Sequence, residues 1–246
     1  MIRAAFAFCL TLCTPQWADA ACRQALALGL DVSGSVDARE YRLQLGGLAN
    51  ALNDPRVRQA LLTLPGHTID LLVYEWSGLE DQAVILPWTT LSDADVLDDT
   101  IARLHSTQRR QTSPGTALGA AMQLGAQYLA ERPDCQKHTL DISGDGISNF
   151  GPRPRDLRVG LAADPPGLTI NGLVIGVDDP AADDSQQAAI GTLAAYYRAE
   201  VMLGPNAFVQ TALGFEDYGR AMAEKLLREL DGTAFSQLAH PTRTDQ

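Results

Sequence analysis

The chain has 246 residues, 46% of them hydrophobic and 20% charged. That composition belongs to soluble globular proteins, and a chain of this length buries about 70% of its unfolded surface without needing a metal or disulfide merely to fold. Thirty Asp and Glu against nineteen Lys and Arg leave a formal charge of −11 and a pI near 4.7. Such a balance argues against non-specific nucleic-acid binding and against docking on an anionic membrane; it is compatible with cation binding without establishing it.

The first residues read as a leader. Arg3 is followed by an apolar run to Leu12, Pro15 breaks the run, and Ala18-Asp19-Ala20 has the small-x-small form of a cleavage site. We expect a signal peptide over 1–20 and an exported chain over 21–246, periplasmic or secreted. The run is too short to span a bilayer, and no later segment reaches about 18 continuous apolar residues. Cys22 raises the alternative of a lipid anchor, but Asp19 stands three places earlier, where a Leu-like residue is normal. Cys9 and Cys13 leave with the leader. Cys22 and Cys135 remain, each just before an apolar strand candidate. If those strands are parallel neighbours, the two cysteines meet at one end of the sheet and form a disulfide; two separate buried thiols are the alternative.

Ala25 to Leu30 is a continuous apolar run, as in a strand buried on both faces. It ends in the polar loop Asp31-Val-Ser-Gly-Ser35. Residues 37–50 read as a helix with Tyr41, Leu45 and Leu48 on one face. Asn53-Asp54-Pro55 breaks it, and Pro55 opens a second helical stretch through Leu62. Strands are expected over Thr68–Trp76 and Gln82–Leu86, the latter stopped by Pro87. Ser92-Asp-Ala-Asp95 starts a helix running to His105. Residues 111–116 form a loop before a helix over Ala117–Ala130. A strand over His138–Ser143 leads into Gly144-Asp145-Gly146. Pro152 and Pro154 mark an exposed loop, followed by a short helix over Leu157–Ala163. The remaining expectations are a strand over Leu168–Val177, a turn at 178–180, a helix over Thr192–Glu200, a strand over Ala207–Thr211, a helix over Phe215–Leu230 and a flexible tail from about 239. This alternation predicts an α/β domain, a doubly wound, mostly parallel sheet with helices on both faces. No linker or repeat divides it, so 21–246 reads as a single domain.

In such a sheet, sites form at the carboxyl ends of strands near the switch in strand order. One strand ends in Asp31, Ser33 and Ser35, whose spacing lets a carboxylate and two hydroxyls converge. Another ends in Asp145 between glycines, and Thr116 lies before a helix. These all-oxygen donors suit a hard cation, Mg²⁺ first, with Mn²⁺ or Ca²⁺ also compatible. Taken singly, Asp31 and Thr116 also suit helix caps, and Ser33, Ser35 and Asp145 suit turns.

The set resembles the von Willebrand factor type A (vWA) domain family. Its metal-ion-dependent adhesion site (MIDAS) combines an Asp-x-Ser-x-Ser loop, a distant Thr and a later Asp, matched here by Asp31, Ser33, Ser35, Thr116 and Asp145. More narrowly, Cys22, Glu75-Trp-Ser-Gly78, Asp141-Ile-Ser-Gly-Asp-Gly146 and Gly204-Pro-Asn-Ala-Phe-Val209 are similar to a secreted bacterial family of uncharacterised function, DUF1194. The resemblance implies a six-stranded Rossmann-like vWA fold with no catalytic activity. It implies a metal site completed by a Glu or Asp carboxylate of a protein partner, and it points to a periplasmic location. Asp141, Glu75 and Arg153 are candidates for support of the site or for the ligand face. Two other readings stand beside this one. The chain is a structural or assembly protein with a vestigial site, or a metal-dependent hydrolase using Asp31 as nucleophile. The hydrolase reading lacks a second carboxylate in the Asp31 loop, a nucleophile elbow and any His ligand spacing.

Overall fold

A computed structural model describes residues 21–64, 67–176 and 183–238. The expected leader (1–20) and tail (239–246) lie outside the described residues, as does the turn at 178–180. The strands are β1 (Ala21–Asp31), β2 (His67–Trp76), β3 (Gln82–Leu91), β4 (His138–Gly144), β5 (Thr169–Ile175) and β6 (Val209–Ala212). They form a six-stranded sheet in the order β3-β2-β1-β4-β5-β6, in which β3 alone runs antiparallel. The chain winds outward from β1 to β2 on one side and resumes from β1 to β4 on the other. The switch point therefore lies between the carboxyl ends of β1 and β4.

The helices are α1 (Ala38–Asn53), α2 (Pro55–Leu62), α3 (Ala94–Ser106), α4 (Leu118–Ala130), α5 (Pro154–Leu161), α6 (Asp183–Glu200) and α7 (Tyr218–Leu238). Period-two alternation in β1 assigns them to two faces. Leu26, Leu28 and Leu30 meet α1, α2, α3 and α7 on one face. The small Ala25 and Ala27 lie on the other, where α4, α5 and α6 pack. Local signals start several helices. Asp37 caps α1 in a reciprocal box with Glu40, Asp54 and Pro55 open α2, and Asp93 caps α3, each satisfying otherwise unpaired N–H groups.

Several boundaries differ from expectation: β1 begins at Ala21, and Pro154, read as part of a loop, is the first residue of α5. β3 continues past Pro87 to Leu91. As an edge strand it can spare the missing N–H, and its register against β2 shifts between Leu71 and Val73, opposite Pro87 and Trp88, as a bulge allows. Helix α6 begins at Asp183, nine residues earlier than the periodicity predicts, because its first turns are polar and show no apolar stripe. Phe215–Asp217 is a short 3-10 turn ahead of α7, which continues beyond Leu230 to Leu238.

Cys22 and Cys135 form the disulfide, with Cα atoms 4.5 Å apart. Gln136 N–H bonds Cys22 C=O beside it at 3.0 Å. It joins the amino-terminal ends of β1 and the β4 approach, closing a long loop of chain.

Candidate metal centre

Asp31 is the last residue of β1 and is fully buried. Its Oδ1 accepts the Ser33 N–H at 2.8 Å, which folds the loop back on the carboxylate. Ser33 Oγ lies 3.3 Å from Ser35 Oγ, and Ser35 Oγ donates to Asp145 Oδ1 at 2.8 Å. The structure thus brings Asp31, Ser33, Ser35 and Asp145 into one chain of hydrogen bonds across the switch point. Thr116 borders the same place. The loop before it packs on Gly34, whose N–H reaches Pro114 C=O at 3.3 Å. On its other side, Thr116 N–H donates to Asn149 Oδ1 and Thr116 C=O accepts the Asn149 N–H, at 2.9 and 3.1 Å.

Neither Asp31 nor Thr116 serves as a helix cap. Helix α1 is capped by Asp37, not Asp31. Helix α4 carries no side-chain cap at all, so the Thr116 hydroxyl is not spent on one. Asp31 Oδ2 is buried with no hydrogen-bond partner, an arrangement that costs stability unless something binds the oxygen. Gly144 makes room beside it: a Cβ there would stand 2.9 Å from Asp31 Oδ2 and 2.6 Å from Tyr197 Oη. Burial, and then the Asp145 charge, push the Asp31 carboxyl up to about 7. Burial also raises Asp145, against the pull of the Ser35 hydrogen bond. Among the described residues no basic side chain pairs with either carboxylate. An orphaned buried oxygen, two unneutralised carboxylates and neighbouring hydroxyls fit a hard cation.

The supporting candidates fall elsewhere. Asp141 faces away from the centre, four residues and about 13 Å along the strand from Asp145. It is buried against Lys225 of α7. Glu75 is buried beneath α1, where Tyr41 Oη donates to it and Arg110 Nε lies 3.6 Å away, so it does not reach the exposed face. Trp76 is fully buried in the core. Arg153 is committed to Glu200 of α6 through two bonds of 3.0 and 2.8 Å, which Arg155 joins at 2.5 Å. Sequence reasoning missed Tyr197. Its buried hydroxyl has no partner, and its titration is pushed well up by burial and by Asp31 and Asp145. No motif marks it; its only trace is the pair Gly144 and Gly172, over which its ring packs.

Cys22, Cys135 and Asp70 also bring ligand-type atoms within 4.8 Å of one another. They lie at the opposite end of β1, about 30 Å from Asp31. With the disulfide formed the sulfurs offer no thiolate, and Asp70 is already met by Thr90 at 2.8 Å and Arg132 at 3.3 Å.

A family model described as protein of unknown function (DUF1194) matches residues 21–234. The chain belongs to the DUF1194 family. No curated protein matches it. Among solved structures, this DUF1194 chain is similar to proximal thread matrix protein 1 from the mussel byssus, at 15% identity and a TM-score of 0.55, covering 87% of this chain and 47% of that one. It is also similar to the pilus adhesin SpaC of Lactobacillus rhamnosus GG, at 12% identity and a TM-score of 0.56, covering 84% and 31%. A third similar structure is a von Willebrand factor type A protein from Catenulispora acidiphila, at 13% identity and a TM-score of 0.52, covering 86% and 42%. At these identities the likeness is one of fold, and this DUF1194 chain spans less than half the length of each. The DUF1194 fold is accordingly that of vWA domains. Among the described residues, no helix is long and apolar enough to cross a membrane.

Proposed function

We propose that this protein is an exported, non-enzymatic, cation-dependent protein-binding domain. Asp31, Ser33, Ser35, Thr116 and Asp145 would hold a divalent ion, Mg²⁺ foremost and Mn²⁺ or Ca²⁺ in its place. The observation that carries the reading is the buried Asp31 carboxylate beside Asp145, with one oxygen unpartnered and no cation supplied by the protein. Five donors with only two charges leave positions to water and to a partner. A Glu or Asp of the partner would complete the shell and supply the missing negative charge. The domain's net charge opposes an acidic partner at long range, and the ion reverses that locally. The similar structures include an adhesin, a byssus matrix protein and a form of the latter with zinc in its MIDAS motif, which supports binding between proteins as the use of this fold here. Export rests on the expected leader and on the disulfide.

Crystals grown with Mn²⁺ test the reading, with calorimetry alongside. An anomalous peak among the five side chains is expected, with binding lost in Asp145→Ala. A centre that stays empty at millimolar metal overturns the proposal and favours a structural or assembly role.

A further inference from the structure

Among the described residues only six large apolar side chains are exposed, and three of them, Leu79, Ile147 and Phe150, border the metal centre at 45%, 56% and 55% exposure. Ile147 is two residues beyond Asp145, so their Cα atoms are at most about 7 Å apart. Phe150 follows Asn149, which holds Thr116 by two hydrogen bonds. The Phe150 Cβ would lie 3.7 Å from a Cβ on Gly115, and Leu79 Cδ2 lies 2.7 Å from where a Cβ on Gly151 would be. Leu79 and Phe150 therefore stand together beside Gly151 and Gly115, Phe150 next to Asn149 and Leu79 two residues past Ser77, whose C=O accepts the Ala117 N–H at 2.7 Å. Two arginines lie on the loop that leads to Thr116, each beside a carboxylate: Arg109 by Asp37, and Arg110 by Glu75 and Asp81. Arg109 donates to Val36 C=O at 2.6 Å, just past Ser35, and Arg110 leans on Glu75 with its side chain 46% exposed.

We propose that Leu79, Ile147 and Phe150 form an apolar seat beside the metal centre, and that the partner is a polypeptide segment bearing a large apolar side chain within two residues of its metal-binding carboxylate. This rests on the cation-dependent reading above. The spacing follows from the span between Asp145 and Ile147, which a peptide crosses in about two residues. A polypeptide offers both chemistries in one short segment: its acidic residue meets the ion, and its apolar neighbour covers half-exposed side chains that water solvates poorly. An anionic lipid surface is opposed by the net charge of −11.

The test is selection from a random-peptide phage library on the purified protein in millimolar Mg²⁺, with elution by EDTA. The expected consensus joins Glu or Asp to Phe, Leu, Ile, Met or Trp within two residues. Replacing that apolar residue by Ala in a selected peptide, or making Phe150→Ser or Leu79→Ser in the protein, weakens binding about tenfold or more. The variants touch exposed side chains, and their Mg²⁺-induced rise in melting temperature should match that of the parent. An acid-only consensus, or an apolar preference that survives both variants, overturns the seat and leaves the metal–carboxylate reading standing. A retained melting shift with no EDTA-sensitive capture overturns the peptide assignment. Mg²⁺-dependent dimers abolished by Phe150→Ser overturn it in favour of a second copy of the chain. Loss of both melting shift and capture in the parent fails the cation reading, and the seat with it.

Discussion

Two carboxylate pairs share strand β4 and have opposite fates. Asp141, in mid-strand, faces Lys225 and Glu229 of α7. Lys225 Nζ touches Asp141 and reaches Glu229 Oε1 at 2.7 Å, and Asn171 Nδ2 donates to the same oxygen at 2.6 Å. Asp145, just past the strand end, faces Asp31, and no basic side chain joins them. Burial opposes the charge of Lys225, but Asp141 and Glu229 outweigh it and raise its titration. The chain thus supplies the cation for one pair and leaves the other to the solvent. On the proposed reading, a buried acidic pair serves as a binding site where the fold withholds the counter-charge, and as a structural core element where a helix delivers one.

The largest expected effect comes from removing the internal cation. Lys225→Met leaves Asp141 and Glu229 facing each other out of water, and breaking a buried pair from one side costs about 3–5 kcal/mol. Urea unfolding checks this. Adding Asp141→Asn to Lys225→Met should recover part of the loss, because one uncompensated charge is then gone. A Lys225→Met protein as stable as the parent would break the comparison.

Next in size is the pH dependence of the metal-free protein. The Asp31 carboxyl lies at about 7 when folded, against about 3.9 when unfolded. Between those values the folded chain holds a proton that the unfolded chain has released. The Asp31 contribution to stability is therefore greatest below pH 4, falls as pH rises towards 7 and levels off above it, by roughly 4 kcal/mol at most. In EDTA, denaturation across this range should show that slope, and Asp31→Asn should flatten it. Mg²⁺ binds the ionised form, so its affinity should climb up to about tenfold per pH unit below 7 and then plateau. A metal-free protein whose stability rises across this interval would show that Asp31 is neutralised by the chain itself.

The two regions also differ in how far the sequence discloses them. An apolar strand ending in Asp31-x-Ser-x-Ser declares its candidate site locally, because the proposed ligands are close in the chain and the loop must fold back on itself. Thr116 and Asp145 need only the element order to join them. The internal pair is half visible. Thr139, Asp141 and Ser143 alternate with Leu140 and Ile142, a polar stripe on a strand that is buried on both faces. Its partner is not visible, because Lys225 sits in an ordinary amphipathic helix and only the packing of α7 carries it to β4. Arg153 is misleading for the same reason. In sequence it looks like a free arginine in a Pro-rich loop, and Glu200, which holds it, lies on another element. Pro87 was readable as a stop signal only because the edge position of β3 depends on the whole sheet.

The smallest effect belongs to a third carboxylate, intermediate between the two pairs. Glu200 is nearly buried, but its counter-charges, Arg153 and Arg155, are half exposed. The hydrogen bond from Arg153, reinforced by Arg155, outweighs burial and lowers its carboxyl to about 2. The sign is opposite to that of Asp31. The unfolded chain takes up a proton first, so this contribution is present above the ordinary Glu value near 4.3 and is lost as pH falls towards 2. Glu200→Gln should therefore be less stable than the parent by a constant amount above about pH 4.3, should converge with it as pH falls towards 2, and should leave the Asp31 slope and Mg²⁺ affinity unchanged. Because the arginines are open to solvent, added salt should shrink the difference between variant and parent. Salt should shrink the Lys225→Met difference far less, since no ions reach that pair. Equal salt sensitivity in the two variants would mean that water reaches Lys225, and the contrast between an internal and an external cation would then be one of degree.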